Sequence, residues 1–483
     1  MRASRSWLTL AVMSAGLFLA VLSTTVVSVA LPTMGRDLHA SPADLEWIVD
    51  AYVIVYASLL VAGGAAGDRY GRKGLFLAGT AIFGLGSLAA GLAPAVGVLL
   101  AARVLQGIGP ALLVPGSLTI LRATFSDERQ RAVAIGVWST ASGLALALGP
   151  PIGGLLVDGL GWRWVFLINV PLAGLLVLTA ARFVPRLPRG AGLTGFDWPG
   201  AALVTFALAA LAFGTIEGQA RGWGAPVVAA AFAAGAAGLA VFVAAERRRA
   251  GRRAGPLIDL ALFRRPAFTA AGIAAAGVFF AFVGLIVYLS AYFQQVQGHS
   301  AVRAGLDVAT VGVSYALAAT WSGRLTGRLG ERWPLIAGLV IAGAATLGLL
   351  RLTPGTPLSA IWWNFALLGG GIGLCGTPIS AIAMSAVDVP RAGMASAVVN
   401  SLRQVGQVFG VAVLGALVYA RLPGGAGGAR LGPAQALAFT AGLHVALWVC
   451  GLVLLGVAGL VAGLAAVPAR RPSRPGEVSA QAR

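Results

Sequence analysis

Two charged residues stand inside long apolar stretches of this sequence. Asp50 lies in EWIVDAYVIVYASLLVAGG and Arg103 lies in ARVLQGIGPA. A charge near the middle of a bilayer costs about 2.5–3.5 kcal/mol on insertion scales, so such residues are rare and usually functional. A buried carboxylate ionises easily beside a guanidinium and binds a proton when separated from it. We therefore expect Asp50 and Arg103 to form an ion pair, or to alternate between pairing and separation. The competing interpretation is that Asp50 lies shallow enough to reach external water and orients its helix.

The elements that carry these two residues are membrane helices. The chain has 483 residues, of which 58% are hydrophobic and 11% are charged, and its mean hydropathy is +0.86. A soluble protein of this length could not solvate such a surface. About twenty apolar residues cross a bilayer as a helix. The sequence predicts fourteen such spans, at 7–29, 47–67, 75–92, 96–121, 132–157, 164–184, 198–217, 226–245, 267–293, 306–321, 333–350, 358–384, 395–419 and 436–467.

The basic residues set the expected orientation. The net charge of +19 does not indicate nucleic acid, because the positive charges recur between apolar spans instead of forming one patch. With both termini in the cytoplasm, and with Arg182 at the cytoplasmic end of the sixth span counted on that side, 26 of the 35 basic residues are cytoplasmic, seven lie in external loops and two lie within spans. That asymmetry obeys the positive-inside rule. The cluster in 246–266 is then a basic cytoplasmic loop, with contact to anionic lipid as a minor alternative.

A short sequence pattern occurs twice, after the second and the tenth spans. GAAGDRYGRK begins at Gly64 and GRLTGRLGER begins at Gly323. The repeat implies a duplication in which two six-helix halves flank two inserted spans, the arrangement of parallel-repeat transporters. The predicted domains are the first half at 7–184, the inserted pair at 198–245, the basic loop at 246–266, the second half at 267–467 and a disordered cytoplasmic tail at 468–483.

The repeated turn has a mechanical interpretation. Glycine permits a tight turn and close helix approach, and a carboxylate can pair with an arginine or cap a helix N-terminus. Such contacts could form in one conformation and break in another, and the alternative is a plain basic loop. The residues assigned to this conformational latch are Gly64, Asp68, Arg69, Gly71, Arg72, Lys73 and Arg328.

These motifs together resemble the fourteen-helix drug:proton antiporters of the major facilitator superfamily. The turn GGAAGDRYGRKG is similar to that superfamily's helix 2–3 motif, and ARVLQGIGPA is similar to its helix 4 motif. The run from Gly136 to Gly154 resembles the helix 5 antiporter signature, whose expected residues here are Gly136, Gly149, Pro150, Gly153 and Gly154. WRWVFLINVP, PLIDLALFRRPAF and SLRQVGQVFGVAVLGA resemble further landmarks of the fourteen-helix group.

The resemblance implies an all-α major facilitator fold and efflux of amphipathic compounds in exchange for protons. It implies no cofactor beyond the proton gradient, and a location in the bacterial inner membrane. We expect a monomer that contacts membrane lipid, protons and a small substrate. Cys375 and Cys450 lie in apolar runs, and no histidine cluster is present, so neither a metal site nor a hydrolase site is expected. The Gly-x-Gly-x-x-Gly run at 371–376 has no preceding strand and is a chance match to a dinucleotide motif.

The sequence departs from the family pattern in the first helix. Ser23 stands where the resemblance leads us to expect an aspartate, and Asn400 and Arg403 occupy a region of span 13 where some relatives carry acids. Asp50 therefore becomes the leading proton-coupling candidate, with Arg103 as its partner. A cation in the cavity favours neutral or weakly acidic amphiphiles over bulky quaternary cations.

Further candidates are weaker. Glu217 and Asp307 lie near external span ends and are second-rank proton sites. The candidate substrate-cavity residues are Ser23, Tyr52, Tyr56, Gln106, Trp138, Tyr288, Tyr292, Asn400 and Arg403. Three other functions remain open: a dedicated exporter of one metabolite or lipid-like product, an importer, and a non-transporting sensor or scaffold. A scaffold needs neither intramembrane arginine, and the helix 5 signature argues against an importer.

Overall fold

The structure is a computed structural model that describes residues 2–125, 127–187, 197–249, 258–387, 392–420, 422 and 430–464. The predicted tail at 468–483 and part of the basic loop lie outside these residues. Regular structure in the described part is helical. The helices are α1 (Arg2–Asp37), α2 (Pro42–Tyr70), α3 (Arg72–Gly91), α4 (Val96–Thr124), α5 (Glu128–Leu160), α6 (Trp164–Leu167), α7 (Asn169–Phe183), α8 (Trp198–Arg221), α9 (Pro226–Arg249), α10 (Pro266–Ala291), α11 (Ala301–Leu329), α12 (Arg332–Gly348), α13 (Leu358–Ser385), α14 (Ala392–Tyr419) and α15 (Pro433–Leu464).

Helix boundaries follow local sequence chemistry. Before α2, the Ser41 hydroxyl accepts a hydrogen bond from the Asp44 N–H while the Asp44 carboxylate accepts one from the Ser41 N–H. This capping box satisfies two backbone donors that the helix leaves free. Gly71 ends α2 with φ +101° and Gly330 ends α11 with φ +77°. Both glycines of the repeated turn thus adopt a backbone conformation that other residues enter only at a cost.

The apolar spans match long helices, with some different boundaries. Thirteen helical spans in the described part are long and apolar enough to cross a membrane. The α2 helix is not among these thirteen, but it is 29 residues long and packs inside the bundle against α4 and α14, so we count it as the fourteenth. The sixth predicted span matches Trp164–Phe183, in which α6 and α7 adjoin at Ile168 with helical backbone angles. The first helix is longer than predicted, beginning at Arg2 and ending at Asp37.

The outer surface is apolar. Large side chains such as Leu178, Leu92 and Trp333 are mostly exposed, at 70%, 64% and 62% of their surface. A water-soluble monomer rarely exposes extended apolar surface of this kind. The chain is therefore a multi-pass membrane protein whose exposed side chains face lipid.

Helix packing repeats between the two halves. In the N-terminal half (α1 to α7), α1 packs on α5, α4 packs on α2 and on α3, and α3 packs on α7. In the C-terminal half (α10 to α15), α10 packs on α14, α13 packs on α11 and on α12, and α12 packs on α15. Each pair in one half has its counterpart in the other, as expected for a duplicated six-helix unit. The inserted helices α8 and α9 pack on each other, and α8 covers the seam between α2 and α14.

Two seams join the halves, α5 against α11 and α2 against α14. A Cβ added at Gly305 or at Gly312 would lie 2.3 Å from the α5 backbone, so these helices touch closely there. The nearest atom to an added Cβ is 3.5 Å away at Gly143, and none lies within 4 Å at Gly136 or Gly323. The α5–α11 seam is therefore tight at the end of the molecule where α1 meets α2 (the α1–α2 end), and open at the opposite end (the α2–α3 end).

We predict that the two turn glycines are individually important for stability. Gly71→Ala and Gly330→Ala should each cost about 1–2 kcal/mol, because a Cβ is disfavoured at positive φ. Melting temperatures of the detergent-solubilised variants measure this. Gly74 lies within α3 with no atom within 4 Å of an added Cβ, so Gly74→Ala should leave the melting temperature equal or higher. Equal melting temperatures of all three variants would contradict the importance assigned to glycine at the two turn positions.

Candidate functional site

Arg103 is fully buried and held at three points inside the N-terminal half. Its Nε donates to the Ile48 carbonyl at 2.7 Å, and its Nη1 donates to Gln106 Oε1 at 2.7 Å. The guanidinium carbon lies 4.3 Å from the centroid of the Tyr52 ring, a cation–π arrangement that partly replaces lost hydration. The carbonyl contact ties the charge on α4 directly to the backbone of α2.

Gln106 extends this contact into a chain of buried side chains. Its Nε2 donates to Ser87 at 2.7 Å and to Ser23 at 3.3 Å, and Ser23 also accepts from Asn169 at 3.4 Å. The network therefore links α1, α3, α4 and α7. Ser23, which occupies the position of the expected helix 1 acid, is a neutral acceptor at the far end of the network from Arg103.

Asp50 is fully buried, and neither of its carboxylate oxygens has a hydrogen-bond partner among the described residues. Arg103 Nη2 is likewise without a partner there. No Asp50–Arg103 contact falls within the 4.0 Å salt-bridge limit, although Arg103 is near enough to act on the carboxyl electrostatically. The structure therefore has the two groups close but unpaired. A charged carboxylate in this position would lose its hydration without replacement, which favours the neutral acid.

Glu46 is a buried acid that the sequence reasoning did not single out. It precedes Asp50 by one helical turn, is 6% exposed, and has its Oε1 3.3 Å from the Tyr288 hydroxyl of α10. A Cβ added at Gly415 of α14 would lie 1.8 Å from that oxygen. Glu46 therefore reaches from the N-terminal half into the C-terminal half. Its four-residue spacing from Asp50 was the available signal, since residues i and i+4 share one helix face.

Arg403 lies half-buried on α14, among neutral groups. Its guanidinium donates to Ser380 at 3.0 Å and to Asn400 at 3.2 Å, and its carbon lies 5.7 Å from the Phe279 ring centroid. Its Nε is buried without a hydrogen-bond partner in the described residues. Among those residues, no carboxylate lies within ion-pair distance of this cation.

The two second-rank acids have partners. Glu217 pairs with Arg221 one turn later on α8 at 2.6 Å, and Asp307 contacts the His299 imidazole at 2.6 Å. Each carboxylate thus has a local structural role in this conformation.

The latch residues are only partly described. Arg72 donates to Thr119 of α4 at 2.6 Å, and Lys73 donates to the Ala181 and Val184 carbonyls at the end of α7. The closest helix approach is made by Gly63, where an added Cβ would lie 1.9 Å from a carbonyl oxygen of α4. At Gly64 the nearest atom is 3.5 Å away, so the close approach expected at Gly64 lies one residue earlier. The side chains of Asp68 and Arg69 lie outside the described part, and Arg328 is exposed.

The helix 5 signature lies at two interfaces. Added Cβ atoms at Gly149 and Gly153 would clash with α1, and one at Gly154 would clash with the backbone at Ala301 of α11. The Pro150 carbonyl meets Gly305 of α11. Asp158, one turn further, accepts from the N–H groups of Ala301 and Val302 at 3.3 and 2.9 Å. Gly136, at the other end, faces open space.

The candidate cavity residues separate into distinct environments. Ser23, Tyr52 and Gln106 are fully buried in the N-terminal network, and Tyr292 is buried in the C-terminal half with its hydroxyl 2.5 Å from the Thr353 carbonyl. Tyr56 lies beside Gln404 across the α2–α14 seam. The half-buried members are Asn400, Arg403 and Trp138. The Trp138 indole N–H donates a hydrogen bond to the Ser117 hydroxyl. Among the described residues, no group of three or more Asp, Glu, His or Cys side chains could hold a metal ion.

A duplicated pair of six-helix bundles with buried charges at the seams defines a polytopic membrane protein of the alternating-access class. The sequence matches the family model of the Major Facilitator Superfamily over residues 13–411. The chain belongs to that family.

Relatives agree with this assignment, and a solved structure shares the fold. The chain is 35% identical over 417 residues to the multidrug resistance protein Stp of Mycobacterium tuberculosis (strain CDC 1551 / Oshkosh), covering 86% of this chain and 76% of that protein. It is 35% identical over 426 residues to the tetracenomycin C resistance and export protein of Streptomyces glaucescens, covering 86% and 77%. The fold is similar to a bacterial homologue of the human lysosomal transporter Spinster, with a TM-score of 0.68, 19% identity and coverage of 96% and 97%.

We predict that the network around Gln106 contributes to stability. Ser87→Ala leaves one Gln106 N–H buried without an acceptor, which should cost about 1–3 kcal/mol. Thermal melting in detergent measures the loss. Ser58 is a matched control, because its buried hydroxyl bonds only carbonyls of its own helix; Ser58→Ala should melt close to the parent. Equal melting of the two variants would contradict the role of the network.

Proposed function

We propose that this protein exports small amphipathic drugs or antibiotics across the bacterial cytoplasmic membrane in exchange for protons. The observation that carries the proton coupling is the unpaired, fully buried Asp50 carboxyl next to Arg103. The names of the relatives, which describe multidrug resistance and antibiotic export, support the substrate class. The energy source is the proton gradient, no cofactor takes part, and the monomer is the transporting unit.

The proposed orientation places both termini in the cytoplasm. The α1–α2 end then faces outward, where α5 and α11 are in tight contact. The α2–α3 end, where the same helices lie apart, faces the cytoplasm. This arrangement corresponds to a transporter that is closed to the outside and accessible from the inside.

The coupling follows from the position of Asp50. With the carboxyl separated from Arg103, the neutral acid is favoured and a proton is held. A small rearrangement between α2 and α4 that brings Asp50 to the free Arg103 Nη2 would stabilise the carboxylate and release the proton. Because Arg103 already holds the Ile48 carbonyl of α2, the motion of α2 relative to α4 and the protonation state of Asp50 are mechanically linked.

We predict that Asp50→Asn abolishes uphill transport but keeps substrate exchange. The amide has nearly the same shape but cannot exchange a proton, so the imposed gradient no longer drives accumulation. Purified protein in liposomes with an imposed pH gradient, assayed for both accumulation and counterflow, separates the two activities. Asp44→Asn, a partly exposed carboxylate on the same helix, is the control and should transport like the parent. Uphill transport by Asp50→Asn at the parent rate would exclude Asp50 as the proton carrier.

Arg403 leads us to propose that the substrates are neutral or weakly acidic. Its cation faces the seam region with neutral partners and one unpartnered nitrogen. A positive charge there repels a quaternary ammonium group and attracts an acidic oxygen.

We predict that Arg403→Gln shifts substrate preference by about tenfold or more, from weak acids toward cations, because one close charge interaction is removed. Competition transport assays with an acidic amphiphile and its neutral ester measure the ratio. Arg351→Gln, at an exposed arginine three residues beyond the end of α12, is the matched control. Strong efflux of quaternary ammonium dyes and none of neutral drugs by the parent protein would contradict the proposal.

A second candidate function is the export of one dedicated compound. It is favoured by a relative whose name gives a single compound, tetracenomycin C. The breadth of a panel of structurally unrelated substrates distinguishes the two. Transport of several unrelated compounds at comparable rates supports multidrug export.

A further inference from the structure

We propose that Glu46 is a second proton-binding group, separate from Asp50, and that its bound proton fastens the two halves together at the α1–α2 end. The inference rests on the proposed alternating access but not on the proposed role of Asp50. It concerns a carboxyl that lies at the junction itself.

Glu46 is placed across the junction by packing. It belongs to α2 of the N-terminal half, yet its carboxyl lies against Gly415 of α14 and the Tyr288 hydroxyl of α10. The absence of a side chain at Gly415 leaves the space that the carboxyl occupies. If the halves separate at this end, the carboxyl must leave that site.

Counting the protons at Tyr288 indicates which form of Glu46 fits the closed junction. The Tyr288 oxygen lies 2.8 Å from the Val411 carbonyl and 3.3 Å from Glu46 Oε1. A carbonyl only accepts, and a tyrosine hydroxyl has a single proton to donate. When that proton goes to Val411, the contact with Glu46 is a hydrogen bond only if the glutamic acid donates. The closed arrangement therefore accommodates the protonated acid.

The charges around Glu46 favour the same form. The titratable groups that act on it are Asp50 on its own helix, Tyr288 on α10, Tyr419 on α14 and Glu217 on α8. None of these is a cation, and no ion pair to Glu46 occurs within the described residues. A carboxylate here would be desolvated beside other acids, which is costly. Deprotonation should therefore weaken the closed junction.

A small pocket at the α1–α2 end borders this carboxyl. Its polar lining is Glu46, Ser28, Tyr288, Gln295 and Tyr419, and the other seven lining residues are apolar. These polar groups can support bridging water. In the proposed orientation this pocket is on the external side. A proton from outside would bind Glu46, close the outer junction and return the transporter to its inward-accessible form.

Distance measurements test the proposal without relying on transport. Spin labels at Arg36→Cys and Arg303→Cys, both exposed near the α1–α2 end on opposite halves, report the opening of the junction in lipid nanodiscs. The background carries Cys375→Ala and Cys450→Ala. Between pH 5 and 9 the parent should open as the pH rises. Above the titration midpoint, the open-to-closed ratio should rise up to tenfold per pH unit for one proton.

The variants separate Glu46 from its neighbours. Glu46→Gln keeps a neutral donor toward Tyr288 and should stay closed across the whole range, whereas Asp44→Asn should open like the parent. Tyr288→Phe removes the acceptor and should shift the opening to lower pH. Asp50→Asn should still open with pH, so failure of the Asp50 proposal in the transport assay leaves this one standing. The inference would be overturned if the Glu46→Gln protein had a normal melting temperature and still opened with pH like the parent. It would also be overturned if the spin-label distances in the parent did not change with pH.

Discussion

The cost of placing ionised groups away from water is the constraint on which the rest of this structure depends. Arg103 is retained inside the N-terminal half because a backbone carbonyl, an amide and an aromatic ring together replace its hydration. Removing any one of these would leave a buried cation with an unmet requirement. Asp50 has no comparable set of partners among the described residues, and in the proposed mechanism this asymmetry makes its protonation sensitive to small shifts between α2 and α4. Under that proposal, the charge state of Asp50 is what couples to the conformation of the bundle.

Close backbone contact, in place of charge, holds the two halves together at the α5–α11 seam. The tight end of the α5–α11 seam is built around Gly154, Gly305 and Gly312, where no Cβ would fit, so it depends on shape and on the Asp158 contacts to the start of α11. Few strong polar bonds need to break for this seam to part. Packing of this kind can switch between two arrangements at low cost, which suits rigid halves that rock about a central region.

The sequence predicted the fold well because its signals were redundant. Apolar length, alternating basic loops and a repeated turn all indicate a duplicated helical membrane protein, and the positive φ at both Gly71 and Gly330 agrees with the alignment made from letters alone. The site was harder to predict. Periodicity places Glu46 and Asp50 on one face of α2, but nothing in the linear sequence shows that Tyr288 and Gly415 lie opposite. In the same way, Ser23 and Gln106 were expected in a cavity, and only packing shows that they belong to a buried network. Local sequence patterns do not encode the long-range contacts between the halves.

The inserted helices make the two seams unequal. The duplicated halves by themselves would present two similar grooves to the surrounding lipid, one at α2–α14 and one at α5–α11. Because α8 packs on both helices of the first, that groove is covered on its bilayer side, while no helix of the described residues covers the second in the same way. A compound dissolved in the membrane would then approach the interior sideways from one direction only. In the proposed efflux we therefore expect lipid-soluble molecules to enter laterally from the α5–α11 side, whose helices lie apart at the end we assign to the cytoplasm.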